Sequence, residues 1–443
     1  MHRWFARICV LISLSIATLW GWSLQQIFGP IDYEAVYYAA RCAHQGLDPY
    51  QPANLSKIYG ATGDLTPSQL KEQIPVHKAI TICINLPTAL LFMIPLSWLS
   101  WGVAYGIWFT LEVASLTAAT FLVLDLAGAE SWLATMMVCL FAVNCTIFVA
   151  IGNLAILVLG ATAVAIWCFV KGRLEWLGIC LLALALLLKP QDAGFIWLFF
   201  LLGRSAMRKN ALKALGLTFV FAVISMLWIS VHAPGWSHEL KSNIAATTTP
   251  GDINDPGPHS MAKKGPGMIV SLQSVVSFFR DDPAFYKSVS YVVCGTLILI
   301  WGLAMLRSRD LNRLSMISLA VIVPLSLLIA YHRNHDGKLL LLVLPGCIQL
   351  WHERGWRGGL AAFVTGILFV LTGDLTISEI FQFESNLHMM SKGFLGTMMS
   401  LLLDRPITLW LLVTSLFYLI VYLIRIRQEA ENRQTQAVVE SAL

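Results

Sequence analysis

Apolar segments recur along almost the whole chain, and they constrain the fold more than any other feature of the sequence. These segments cover residues 9–28, 79–97, 101–124, 132–150, 154–170, 174–203, 211–233, 287–306, 314–331, 338–351, 360–373 and 406–424. A helix of about 20 apolar residues spans a hydrocarbon core of about 30 Å. Only 12% of the residues are charged, against about 25% in a soluble domain. We therefore predict an all-α, polytopic integral membrane protein with about twelve transmembrane helices.

This composition excludes a disordered chain, a coiled coil and a soluble nucleic-acid-binding protein. The net charge of +5 does not indicate nucleic acid as a partner, because basic residues in a membrane protein chiefly report its orientation. The nine cysteines include no C-x-x-C pair, so we expect no disulfide and no zinc site.

Lys and Arg are concentrated in one set of connections between the apolar segments. Residues 1–8, 204–213, 306–313, 352–357 and 425–443 are almost four times richer in them than the long connections 29–78, 234–286 and 374–405. Because cytoplasmic connections carry the excess of basic residues, both termini are predicted to be cytoplasmic. The expected organisation is one transmembrane domain over residues 1–424, with extracytoplasmic loops at 29–78 and 234–286, and a cytoplasmic tail over 425–443. The expected location is the inner (plasma) membrane.

The segment 174–203 is too long for a single straight crossing and contains Lys189 and Pro190 near its middle. Proline removes a backbone donor, and a lysine at the centre of a bilayer is costly. Either one tilted helix is kinked there, or two helices meet at a break on the outer side. The basic residues 171–173 favour two helices, because they then lie inside. In that case an earlier segment, 132–150, would not cross fully.

The first long loop begins with a helical pattern. Asp32 is placed to cap a helix over about residues 33–45, which Gly46 would end. One face of this helix would carry Tyr33, Val36, Tyr37, Ala40 and His44. We expect it to lie along the membrane interface with its tyrosines at headgroup depth. From this pattern alone, Asp32 is either a helix cap only or a carboxylate held at the membrane surface.

Several motifs resemble, in the same order, those of glycosyltransferase family 87, whose members have the GT-C fold. The strongest is an Asp just after the first helix, Asp32, followed by V-Y-Y-A-A-R and G-L-D-P-Y. The weaker ones are Asn85-Leu86-Pro87 with Pro95-Leu96, Gly152-Asn153-Leu154, Leu188-Lys189-Pro190-Gln191 and Tyr331-His332-Arg333-Asn334-His335-Asp336. The chain departs from the family pattern at Asn153, where relatives usually carry Gln, and in a degraded aromatic-x-Pro-Pro segment.

This resemblance implies an inverting hexosyltransferase that uses a polyprenyl-phosphate sugar, typically polyprenyl-phosphate mannose. Asp32 would then be the general base that takes the proton from an acceptor hydroxyl. The acceptor could be a glycolipid, a glycan or a protein. No cofactor is expected, because the lipid-linked sugar is a substrate, and we expect no metal. The short inner connections lack a nucleotide-binding motif, which agrees with a donor that already carries a lipid phosphate.

Positive or donor groups should surround the departing phosphate, and the candidates are Lys189, His332, Arg333 and His335. Alternatively, Lys189 snorkels to the interface and the histidines are ordinary loop residues. Arg41 could contact the phosphate, pair with Glu34 or contact lipid headgroups. The remaining candidates for substrate binding are Tyr37, Gln191 and Asn153.

A secondary transporter or lipid-linked sugar flippase is the main alternative, since about twelve helices with both ends inside suit that class. Transporters commonly have related halves, whereas the halves of this chain look unrelated and its polar residues are concentrated on one side. A polysaccharide ligase or polymerase, or a structural membrane protein, agrees less well with the early Asp motif.

Overall fold

The computed structural model describes residues 2–62, 74–128, 130–260, 268–308, 315–374 and 401–442. Apart from one isolated bridge between Ile269 and Arg333, the regular structure of these residues is helical. The α-helices are α1 (His2–Phe28), α2 (Ile31–His44), α3 (Pro52–Thr62), α4 (Ile74–Thr81), α5 (Pro87–Ser97), α6 (Trp101–Ala127), α7 (Trp132–Val143), α8 (Thr146–Ile151), α9 (Ala155–Lys171), α10 (Glu175–Leu188), α11 (Pro190–Leu202), α12 (Ser205–His232), α13 (Trp236–Thr247), α14 (Leu272–Phe279), α15 (Pro283–Ser308), α16 (Ser315–Ile329), α17 (Leu344–His352), α18 (Trp356–Leu371) and α19 (Pro406–Ala442). A 3-10 helix, Asn334–Val343, joins α16 to α17.

Five of the described helices contain segments long and apolar enough to cross a membrane: Trp4–Gln26, Trp101–Ala127, Ser205–His232, Pro283–Ser308 and Pro406–Thr435. Their outer faces carry large apolar side chains, and Phe219 of α12 and Val292 of α15 are each 68% exposed. Such a surface suits hydrocarbon and not water. The all-helical membrane class is therefore confirmed, whereas the number of twelve crossings stays a prediction.

The segment 174–203 is divided into two helices, as the second interpretation of the sequence expected. Helix α10 ends at Leu188 and α11 begins at Pro190, with Lys189 between them in a non-helical conformation (φ −153°, ψ 81°). Proline suits the first position of a helix, because the N–H that it lacks would have no partner there. The segment 132–150 is also divided, into α7 and α8, at Asn144 and Cys145.

Residues 79–97 do not form one helix long enough to cross a membrane. Helix α5 has 11 residues, which amounts to about 16 Å of helix against a core of about 30 Å. The chain on both sides of α5 contacts the first loop. The hydroxyl of Tyr50 donates to the carbonyl of Asn85 (3.0 Å), and the hydroxyl of Tyr37 donates to the carbonyl of Leu99 (2.9 Å). Helix α5 therefore lies against the loop helices.

The first loop contains the expected helix, but its start and its surroundings differ from the prediction. Helix α2 begins at Ile31, so Asp32 lies inside it, and no side-chain cap hydrogen bond is present at its N-terminus. Gly46 follows its end with φ +74°, as predicted. Tyr33 and Tyr37 are fully buried within the protein, so their side chains do not form its outer surface, and their depth in the membrane stays a prediction. The ring of Tyr33 stacks on Trp108 of α6, with 5.1 Å between the ring centroids.

The two long loops contact each other above the helices. Asn243 of α13 donates from Nδ2 to the carbonyl of Tyr50 (2.8 Å) and to that of Cys83 (3.0 Å). Lys78 of α4 forms an ion pair with Asp252. These contacts hold the two long loops together.

Candidate active site

Asp32 lies in the first turn of α2, close to the turn between α8 and α9. Its Oδ2 accepts a hydrogen bond from Asn153 Nδ2 at 2.6 Å, and the residue is half-buried. Gly152 precedes Asn153 with φ +72°, and a Cβ at this position would come within 2.7 Å of the Tyr33 Cβ. Glycine is therefore needed both for the backbone conformation and for the close approach of α2. The Gly-Asn motif thus places an amide donor against the carboxylate.

Asn153 is held in one orientation by a second hydrogen bond. Its Oδ1 accepts from the backbone N–H of Ala155 at 2.8 Å, which leaves Nδ2 as the donor to Asp32. The same Nδ2 lies 3.1 Å from His335 Nε2. An amide nitrogen has two hydrogens and cannot accept, so His335 Nε2 must be the acceptor, in the neutral form with its proton on Nδ1. Burial lowers the pKa of His335, which favours this neutral form.

Lys189 lies at the break between α10 and α11 and is held between two carboxylates. Its ammonium pairs with Asp336 and lies 3.2 Å from Asp192 Oδ2. The side chain is 15% exposed, so the interpretation of Lys189 as a residue that snorkels to the interface is wrong. Burial by itself would raise the pKa of Asp336, but the charge of Lys189 outweighs burial and holds that pKa well below its usual range.

His332 extends the same network on the other side of Asp192. Its Nε2 lies 3.1 Å from Asp192 Oδ1, and both side chains are fully buried. Burial lowers the pKa of His332, but the contact with Asp192 and the charge of Asp336 outweigh it, so the pKa lies above its ordinary value. His332 and His335, in the connection between α16 and α17, therefore have pKa values shifted in opposite directions.

Arg333 connects this site to the second loop. Its Nε donates to the hydroxyl of Tyr331, and its Nη2 donates to Asn254 Oδ1 (2.8 Å) and to the carbonyl of Ile253 (3.2 Å). The Nη1 group makes no hydrogen bond to a described residue. Burial acts to lower the pKa of Arg333, but the neighbouring Tyr331 and Asp32 raise it overall.

The structure thus brings together six of the predicted site residues: Asp32, Asn153, Lys189, His332, Arg333 and His335. The other three lie elsewhere or make no hydrogen bond to this network. Arg41 donates from Nη1 to the hydroxyl of Tyr37 (2.9 Å), and the pairing with Glu34, one of its three alternatives, is absent. Tyr37 is fully buried and has no surface to offer a substrate. The side chain of Gln191 is half-buried and makes no hydrogen bond to a described residue.

Two carboxylates of the network, Asp192 and Asp336, were not among the predicted site residues. The signal for both was present, because each lies within three residues of a predicted site residue, Lys189 or His335. Within the described ranges, no group of three His, Cys, Asp or Glu side chains is arranged to hold a metal ion.

A buried network of acidic and basic side chains, at a helix break of an all-helical membrane protein, indicates a membrane enzyme or a transporter. The family comparison decides between these two classes. The model of glycosyltransferase family 87 matches residues 84–330, more than half of the chain, and the chain therefore belongs to this family of membrane glycosyltransferases. The matched range contains Asn153 and Lys189 but not Asp32. No curated protein and no solved structure matches the chain.

Proposed function

We propose that the protein transfers a hexose, typically mannose, from a polyprenyl-phosphate sugar to an acceptor hydroxyl on the extracytoplasmic side, with Asp32 as the general base. The acceptor is a glycolipid, a glycan or a protein. The reaction inverts the anomeric centre, because one displacement by the hydroxyl replaces the lipid phosphate. Such a displacement needs one base and a phosphate-binding environment, and it needs no nucleotide.

The pairing of the three carboxylates in the network carries this proposal. Asp192 and Asp336 both lie in ion pairs with Lys189, so each of these carboxylates already contacts a cation. Asp32 forms no ion pair with a described residue and is partly exposed. Its one described partner is the neutral amide of Asn153, which orients the carboxylate and leaves it free to accept a proton.

Positive groups lie close enough to the base to stabilise the departing phosphate. Arg333 has an unused Nη1, and its pKa is raised in part by the charge of Asp32. Further along the same network, Lys189 pairs with Asp336, and His332 lies next to Asp192. A phosphate that approaches Arg333 would meet this set of cations in a partly dry environment, where charge stabilisation is stronger than in water.

Replacing Asp32 with asparagine tests the proposed base. Asparagine keeps the shape of the side chain and an oxygen that can accept from Asn153, so Asp32→Asn should fold normally. Loss of a general base typically lowers the rate by about 10²–10⁴. The assay would use membranes from cells that lack the native gene and express one of the variants. It would follow the transfer of label from polyprenyl-phosphate [¹⁴C]mannose to these membranes. Glu34→Gln, in the same helical turn, is the matched control and should keep most of the activity. A folded Asp32→Asn protein with full turnover would exclude Asp32 as the base.

The side of the membrane can be tested separately with cysteine labelling. Ser237 lies near the start of the second long loop, and Ser205 lies in a predicted cytoplasmic connection. Both side chains are exposed. An impermeant maleimide added to intact cells should label Ser237→Cys and not Ser205→Cys, and the unsubstituted chain gives the background. Label on Ser205→Cys alone would place the site on the cytoplasmic side.

A further inference from the structure

A second buried ion pair, Lys338 with Asp374, lies one turn of chain away from His335. The three N–H donors of Lys338 have three acceptors: the carbonyls of Asn144 (2.5 Å) and Thr372 (2.7 Å), and Asp374 Oδ1 (3.2 Å). The side chains of Lys338 and Asp374 are 2% and 3% exposed. This pair is closed to a substrate, so its role must be exerted through the groups that it holds.

The second carboxylate oxygen of Asp374 holds the start of α8. Its Oδ2 accepts from the backbone N–H of Ile147 (2.6 Å) and from the hydroxyl of Thr146 (3.2 Å). Helix α8 ends at Ile151, and the next two residues are Gly152 and Asn153, the donor to Asp32. One short helix therefore separates the carboxylate of Asp374 from the amide that orients the base.

Lys338 holds the other partner of Asn153. It lies in the 3-10 helix three residues after His335, whose Nε2 accepts from Asn153. Close packing keeps the surrounding chain in place, because a Cβ on Gly373 would come within 2.4 Å of Asn144 Oδ1. The pair thus fixes both chain segments that meet at Asn153.

We infer that Lys338 and Asp374 are positioning residues that hold Asn153, and through it the carboxylate of Asp32, in the geometry needed for sugar transfer. This inference rests on the proposed function. A displacement of about 1 Å at a reacting group can lower the rate by about 10²-fold. Loss of the hydrogen bonds to α8 should therefore lower turnover even where the fold is kept.

Two double variants separate this role from a purely structural one. Lys338→Met/Asp374→Leu removes both charges and both hydrogen bonds to α8. Lys338→Met/Asp374→Asn also removes both charges but keeps an oxygen that can accept from Ile147. Both variants remove the charges of Lys338 and Asp374 together, so neither leaves one member of this pair buried without the other, which is the main cause of unfolding in a single substitution. The assay is transfer from polyprenyl-phosphate [¹⁴C]mannose, expressed per folded protein after size-exclusion chromatography.

The leucine variant should lose about 10²-fold in kcat, with the KM for the donor changed little, and the asparagine variant should recover most of this loss. Adding Asp32→Asn to the leucine variant should cause no further loss beyond that of Asp32→Asn alone, because both changes act on the same carboxylate. These two results together would support the inference.

Equal kcat for the folded leucine and asparagine variants would overturn the inference, because the hydrogen bonds to α8 would then be irrelevant. Multiplicative losses in the Asp32→Asn background would also overturn it, because the pair would then act elsewhere. Either result leaves the proposed function intact if Asp32→Asn alone is inactive. A fully active Asp32→Asn protein would overturn the proposed function first, and with it the positioning of Asp32.

Discussion

Lys189 and Lys338 are both buried lysines paired with aspartates, but their surroundings differ. Lys338 meets one carboxylate and two carbonyl groups, and its side chain is almost fully buried. Lys189 meets two carboxylates and is partly exposed, and the titratable side chain of His332 lies next to one of them, Asp192. The first arrangement is suited to holding chain segments, whereas the second can change its charge when a proton or an anionic substrate arrives.

The substitution Lys338→Met is the strongest test of this comparison. The substitution leaves Asp374 buried without its cation, and loss of one partner of a buried ion pair costs about 3–5 kcal/mol. The free energy of unfolding in detergent, from chemical denaturation, should fall by that amount. Lys241→Met, at an exposed lysine of α13, is the control and should change little. A loss as small as the control's would mean that Lys338 is not a structural centre.

Lys189→Met should affect donor use more than folding. A hydrogen bond to a charged group is worth about 1.5–3 kcal/mol, so the KM for the polyprenyl-phosphate sugar should rise at least about tenfold. The loss of stability should be smaller than for Lys338→Met, because protonated His332 still balances part of the charge. Lys189→Arg should keep part of the activity. An unchanged KM and kcat in Lys189→Met would show that Lys189 does not contribute to donor binding.

The titratable character of the Lys189 cluster predicts a pH dependence with two opposite contributions. The folded protein binds the proton of His332 more tightly than the unfolded chain does. The stabilisation that comes from this proton of His332 is therefore complete below about pH 6.5. It is lost as the pH rises through the higher pKa of His332 in the folded protein. His335 resists protonation in the fold, so its effect is lost as the pH falls below about 6.5.

Thermal melting of His332→Gln and His335→Gln over this range would separate the two contributions. The His332 variant should lose less stability than the unsubstituted protein as the pH rises, and the His335 variant should lose less as the pH falls. We expect these pH effects to be smaller than the effects of Lys338→Met and Lys189→Met. If the melting temperatures of both variants and of the unsubstituted chain changed with pH in the same way, this result would contradict the assigned pKa shifts.

Much of the fold and part of the site followed from local chemistry in the sequence. Apolar length and low charge require a helical membrane protein, because the backbone in hydrocarbon must satisfy its own hydrogen bonds. Pro190 ends one helix and begins the next by its missing N–H, and Gly46 ends α2 by its positive φ. Asp32 was recognisable as a polar residue just after an apolar segment, and Lys189 as a polar residue near the middle of one.

Tertiary structure alone decided which of these residues are partners. Asp32 was expected to cap α2, but its hydrogen bond comes from Asn153, 121 positions later in the chain. The pairing of Lys189 with Asp336 spans 147 positions, and Lys338 was placed only at the edge of an apolar segment. Sequence periodicity describes one helix at a time and cannot specify which helices are neighbours. The charge balance around each lysine, and therefore its role, depends on that packing.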